Sequence, residues 1–361
     1  MLDNFYQRGF LPSQDPAKQF ERHNNYTFLD DLGRNLPSWL LQKEFRQFAR
    51  QLSIPTWQAP LTDELDLAEC RLYYLRLGFL ISGYINQIGQ PSCKTLPANL
   101  SIPFCQVCDL LARPPILSYD GYALYNWLRL DQAGPIALGN IETLQNFVHL
   151  YDEHWFILVH VEIEAKAADI LAAINDLMTN PLTPGWVDRS LHNIADSLQS
   201  LISCLKRIPE FMSAELYFDH FRPYIRFFEQ VHYEGVNNKT ISFRGETGAQ
   251  SSIIPTLEAL LKIPHQQSEL TQHLTVMRQY MPVRHRQFIE DTAQISHLKS
   301  LADTKIFNQV LEYIAQFREI HYNWAIQYIA DHTDDDKGTG GTPFMRWLKQ
   351  LIDETRAYQD K

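Results

Sequence analysis

Apolar residues recurring every three or four positions dominate this chain from about Glu44 onward, whereas runs alternating with period two are scarce. A 3.6-residue repeat gathers such residues on one face of a helix, so the spacing predicts a mainly α fold. The longest pattern runs from Glu142 to Met178 almost without a breaker. It stops at Asn180-Pro181, where the residue preceding proline is pushed out of the α region. Further helices are predicted over Trp186–Phe211, Ala214–Phe228, Ile254–Leu261, Leu270–Tyr280, Ile306–Ala330 and Pro343–Tyr358. Upstream, Pro91, Pro97, Pro103, Pro114 and Pro115 crowd together, which predicts short helices joined by turns, with brief β pieces in the first third. A break at Asp131-Gln132-Ala133-Gly134-Pro135 divides an expected smaller, mostly α N-terminal domain (1–135) from a large helical domain (136–361). The stretch Asp331–Thr342, DHTDDDKGTGGT, is an acidic run followed by glycines, ending at a helix with Pro343 in its first position.

Composition narrows the function. With 361 residues, 45% hydrophobic and 20% charged, the chain reads as a folded globule with room for an enclosed cofactor. Its 32 Lys+Arg against 42 Asp+Glu give a net charge of −10, which repels phosphate backbones and anionic membranes, so neither nucleic acid nor membrane is an expected partner. Five irregularly spaced cysteines argue against a disulfide scaffold and for a reducing compartment. Asp3 and Arg8 interrupt the stretch where a signal peptide needs its apolar run, and no window offers 18 uninterrupted apolar residues. A soluble cytoplasmic protein is expected.

Four features carry candidate chemistry. On Ile306–Ala330 the apolar stripe Val310, Ile314, Phe317, Trp324, Tyr328 leaves a gap that His321 fills. Its ring needs a partner for each nitrogen: a neighbouring side chain for a structural histidine, or a buried iron for a ligand. Arg318 stands one turn earlier, where it invites an anion such as a carboxylate or a haem propionate. His160-Val161-Glu162 has the H-x-E form of zinc deaminases, but the Cys105/Cys108 pair lies upstream with the wrong offset from Pro103, so buried structural cysteines are expected. The stretch FRGETGAQSS (Phe243–Ser252) places Gly245 and Gly248 in a loop that opens a helix. It lacks the ending of a phosphate loop and reads either as a plain turn or as close approach of backbone to a flat ligand. Arg222 sits among Tyr217, Phe218 and Phe221, either as a stem lying over apolar surface or as a bidentate grip on a carboxylate.

Taken in order, IPFCQVC…PPILSYDGYALYNW (Ile102–Trp127), FRPY, YEG (Tyr233–Gly235), FRGETGAQSS, YMPVRHRQF (Tyr280–Phe288), FREIHYNW…YI (Phe317–Ile329) and KGTGGT (Lys337–Thr342) resemble the indoleamine 2,3-dioxygenase family. These are haem enzymes that open the indole ring of tryptophan. The resemblance runs from about Leu96 to Leu351 and implies a large C-terminal haem-binding helical bundle, with the smaller N-terminal domain covering the distal pocket.

Carried over residue by residue, the resemblance implies haem b with O2 as co-substrate, an electron donor to reduce it, and His321 as the metal ligand. Arg318 would lie near a propionate, with Gly245, Gly248 and Glu258 on the cofactor side. Phe218 and Arg222 would hold the indole ring and the carboxylate. Tyr119, Tyr217, Thr247 and Gly338 would line the substrate pocket, and Thr339 would sit on a loop closing over it. His285 is expected to be structural. His160 stands where familiar members carry a distal serine; it would give the indole N–H an acceptor and disfavour N-methylated substrates. Glu246-Thr247 replaces a Gly-Ser pair, Glu258 an aspartate and Tyr217 a phenylalanine, which bear on substrate range. The expected product from L-tryptophan is N-formylkynurenine. The rival readings are a related haem oxygenase acting on another indole compound in a biosynthetic pathway, and a non-catalytic haem sensor.

Overall fold

The computed structural model describes residues 7–236, 240–333, 338–339 and 344–359. Among them are fourteen α-helices and five short strands, a mainly α architecture as the apolar spacing predicts. Glu64–Ile85 begins at Asp63, whose carboxylate accepts the amides of Leu65 and Asp66. Apolar on nearly all sides, it runs through the middle of the N-terminal half, with Tyr73, Tyr74, Phe79 and Ile81 inaccessible to solvent. The helices Phe28–Leu40 and Ala98–Leu110 pack against it. The first lies upstream of the point where the apolar spacing becomes regular, and Gly33 within it leaves the space that the Arg76 and Gln145 side chains occupy. The second takes Pro103 into its interior, so the proline cluster interrupts the chain less than expected.

The predicted helix Glu142–Met178 is instead a strand end (Ile141–Glu142), a loop, and two helices, Tyr151–Lys166 and Ala168–Thr179. The loop survives because Glu153 captures the Phe147 and Val148 amides at 2.8 and 2.9 Å, satisfying backbone that a longer helix would otherwise satisfy. The second break falls at Ala167, beside Gly9, whose missing side chain lets the N-terminal segment close on the Glu164 carbonyl. The stop at Asn180-Pro181 is found as predicted, with Asn180 extended.

Ala214–Phe228 also divides. A helical turn at Ala214–Leu216 widens into a π-helix over Tyr217–Phe221 and tightens into a 3-10 turn over Arg222–Ile225, where Pro223 has no N–H to continue the ladder. The chain then enters a strand, Phe228–Tyr233, that pairs antiparallel with Thr240–Phe243 and parallel with Thr95–Leu96. Leu128–Arg129 pairs with Ile141–Glu142, so a two-stranded hairpin spans the break expected near residue 135. The remaining predicted helices are observed as Pro184–Leu205, Ile253–Leu261, Glu269–Arg278, Thr304–Tyr328 and Phe344–Ala357. Pro343 and most of the low-complexity stretch lie outside the described residues.

Two apolar cores result. One gathers the N-terminal helices around Tyr74, Phe104 and Trp127, and the other gathers Pro184–Leu205, Thr304–Tyr328 and Ile253–Leu261. The helix Tyr151–Lys166 serves both, sending Ile157, Leu158 and Val161 into the first and Trp155, Val159 and Ile163 into the second.

Candidate active site

Two helices bring two imidazoles to one void. A cavity of about 270 Å³ is walled by Phe156, His160 and Ile163 of Tyr151–Lys166, by Phe317, Arg318, His321 and Trp324 of Thr304–Tyr328, by Glu246–Ala249, and by Gly338 and Thr339. On the second helix Val310 and Ile314 are buried in the core, and from Phe317 onward the same stripe turns to face the cavity. His321 presents its ring surface to the void while protein surrounds it. Burial, and secondarily His160, press its pKa down to about 4. Among the described residues its ring has no hydrogen-bond partner, unlike the structural histidine weighed from sequence.

His160 is also held neutral, its pKa lowered by burial. Its Nδ1 lies 2.7 Å from the Phe156 carbonyl, which can only accept, so the proton is on Nδ1 and the Nε2 lone pair is left over. The ring stands edge-on to Tyr119, centroids 6.0 Å apart.

On the polar side one carboxyl, Glu246, lines the cavity and a second, Glu164, lies behind Tyr119 and Ser251. The Tyr119 hydroxyl donates to Glu164 Oε1 at 2.8 Å and Ser251 Oγ donates to the same oxygen at 2.6 Å. Burial raises the Glu164 carboxyl to about 7 despite these donors. No described residue donates a hydrogen bond to the Glu246 carboxyl, and burial raises it to about 8. Thr247 accepts the Ala249 amide and opens the turn that carries Gly248. Tyr217, at the start of the π-helix, faces the same void.

The opposite wall is cationic. Arg318 donates to Glu258 Oε1, to Thr355 Oγ1 at 2.6 Å and to the Leu351 carbonyl. His265 bridges Glu258 and Glu354 at 2.9 and 2.5 Å. Burial alone would raise the Glu258 carboxyl, but the Arg318 charge and the His265 hydrogen bond outweigh it and hold it at about 2. Glu258 therefore faces the cavity with its carboxylate already committed to Arg318 and His265, as a positioning residue for the arginine.

Of the residues singled out in the sequence, Tyr119, His160, Tyr217, Thr247, Gly248, Glu258, Arg318, His321, Gly338 and Thr339 all line the cavity. Three expectations need correction. Gly245 does not open space for a ligand: the Ile225–Phe227 backbone fills the place of its side chain. Phe218 is absent from the lining, stacking instead on His332 with centroids 5.2 Å apart. Arg222 is buried over the Phe218 ring and hydrogen-bonds Tyr217, one residue behind the cavity wall. The loop residues of KGTGGT other than Gly338 and Thr339 lie outside the described residues.

The other candidates fall out as structure. Cys105 and Cys108 are buried on one helix, with burial raising Cys105 to about 12 and Cys108 well above its ordinary value. Glu162 accepts the Leu138 amide and pairs with Lys166. His285 is buried against Phe10 and Ser252, and burial lowers it to about 3. Sequence reasoning passed over Glu164, Ser251 and His265 as functional residues. Only Glu164 carried a signal, one helical turn after His160.

Among the described residues no three His, Cys, Asp or Glu side chains are grouped to hold a metal ion. A metal held at His321 would draw its other ligands from a group that brings them, as a flat macrocycle does. A neutral imidazole with no partner among the described residues, aromatic walls at Phe156, Phe317 and Trp324, open space at the missing side chain of Gly248, and an arginine for an anionic edge all fit such a group.

The family model for indoleamine 2,3-dioxygenase matches residues 5–358. Indoleamine 2,3-dioxygenase 1 of Rattus norvegicus is 28% identical, over 90% of this chain and 87% of the rat protein. The indoleamine 2,3-dioxygenase of Saccharomyces cerevisiae is 24% identical over 98% of this chain and 91% of its own. A protein named myoglobin from Haliotis madaka is 26% identical over 97% and 96%.

Proposed function

The chain belongs to the indoleamine 2,3-dioxygenase family, and from that premise we propose that it is a haem-dependent dioxygenase inserting both atoms of O2 across the indole C2=C3 bond of L-tryptophan or a related indoleamine, giving N-formylkynurenine from tryptophan. The observation that carries the reading is the pair His160 and His321, both neutral, facing one cavity from two different helices.

When bound, haem supplies the redox chemistry of dioxygen activation. His321 would hold the iron, for which its deprotonated ring nitrogen is suited, and Arg318, fixed by Glu258 and Thr355, would meet a propionate. His160 Nε2 accepts the indole N–H and so orients the ring, while N-methylation removes that hydrogen bond. Phe156 and Tyr217 form aromatic wall for the indole. The Phe227 amide binds the Thr339 carbonyl at 2.9 Å, which fixes Gly338 and Thr339 over the cavity as its cover. Residues 1–135 contribute Tyr119 to the cover from the other side, as a small domain against the large helical one.

The reading carries with it an external electron donor and a cytoplasmic location. No helix among the described residues is long and apolar enough to cross a membrane, and the five cysteines are unbonded. A second reading, a haem protein that binds dioxygen without oxidising an indole, draws on the similarity to the protein named myoglobin. One experiment separates them: aerobic incubation of the reduced, haem-loaded protein with L-tryptophan and a panel of indoles. The proposal expects formylkynurenine absorbance; a stable dioxygen spectrum with no indole consumed supports the second reading and rejects the first.

A further inference from the structure

We propose that Glu246 is the amine-recognition residue of this cavity, receiving the side-chain ammonium of its substrate. This rests on the reading of the cavity as an indole-oxidising site and names the substrate class it favours.

Glu246 lines the cavity yet is only 4% exposed, and among the described residues its carboxyl accepts no hydrogen bond. Its place is rigid. The Glu246 amide donates to the Ile225 carbonyl at 3.0 Å, and the preceding Gly245 is packed so closely on Ile225–Phe227 that no side chain fits between. That same segment binds the cover, through the Phe227 amide and the Thr339 carbonyl. Glu246 and Thr339 thus flank one short stretch of backbone at the edge of the cavity, where the polar tail of an indole extends if its ring lies beside His160. The polar groups that feel the Glu246 charge are Tyr119, Tyr122 and Tyr217. Among the described residues no lysine or arginine bears on its carboxyl.

A buried carboxyl without a donor is costly, and a ligand that brings one recovers that cost. An ammonium carries three donors and the opposite charge, and so satisfies a single carboxylate. Burial that holds the carboxyl protonated in the empty cavity supports the same assignment, because a cation is what restores its charged form.

The test is calorimetric titration of the haem-loaded protein with tryptamine and with 3-ethylindole, which shares the skeleton and lacks the amine. The wild type should bind tryptamine at least about tenfold more tightly. Glu246→Gln should lose most of that preference while binding 3-ethylindole within about twofold of wild type, and Glu246→Asp should retain part of it. Equal affinity of the wild type for both ligands overturns the inference without any variant, as does a Glu246→Gln protein that keeps the preference or weakens both ligands alike. A wild type that binds neither indole rejects the function reading itself.

Discussion

Arg318 donates to Glu258 inside the cavity wall, a buried ion pair in which each partner is more than four-fifths shielded from solvent. Removing one member of such a pair leaves an uncompensated charge, which costs about 3–5 kcal/mol. Arg318→Ala should lower the urea midpoint accordingly and weaken haem retention. Adding Glu258→Gln to it should restore part of the stability, because the stranded charge is gone. Additive losses in the double variant would show that the two residues do not act as a pair.

Stability should depend on pH through two opposing sets of groups. Glu258, depressed from 4.5 to about 2, contributes stability that is present above pH 4.5 and lost as pH falls through about 2. Glu153 and Glu164, raised to about 7, and Glu246, raised to about 8, act in the other direction. The folded state keeps their protons longer than the unfolded chain, so their contribution is fully present below 4.5 and lost as pH rises to 7 or 8. Glu164→Gln should therefore flatten the decline between pH 5 and 8, by on the order of 1–3 kcal/mol in denaturant unfolding. A decline as steep as in wild type would contradict the raised carboxyl.

His321→Ala should abolish the Soret band and the ferrous–CO spectrum while leaving the helical circular dichroism unchanged. The expectation follows from a ring that faces the void and gives no hydrogen bond to the described protein. Retention of a normal ferrous–CO spectrum would remove His321 as the metal ligand.

His160→Ala should cut kcat/KM for L-tryptophan by about tenfold or more while narrowing the gap to 1-methyltryptophan, since the lost hydrogen bond is one the methylated substrate never makes. Because burial lowers the His160 pKa, the wild-type rate should hold from neutral pH to below 6.5 before protonation blocks Nε2, and this acid limb should vanish in the variant. An unchanged preference between the two substrates would assign His160 a packing role.

The helices were legible wherever one face repeats, as in Thr304–Tyr328 and Pro184–Leu205, because periodic burial is written locally. Helix Glu64–Ile85 was not among the helices predicted: buried on nearly all sides beyond its first turns, it has little periodicity to read. The breaks at Ala167 and over Tyr217–Ile225 were not legible. They depend on Gly9 meeting Glu164 and on a strand pairing with residues more than a hundred positions away.

The residue order alone determined that the chain is mainly helical, that His321 interrupts an apolar stripe, and that several short strings occur together in one family's order. Only the tertiary structure decided that His160 and His321 share a cavity, that Arg222 stands behind Tyr217, and that Glu246 faces the void without a donor among the described residues. Periodicity is a property of neighbours three and four apart. Which hydrogen bonds a buried side chain lacks depends on groups that reach it from distant segments.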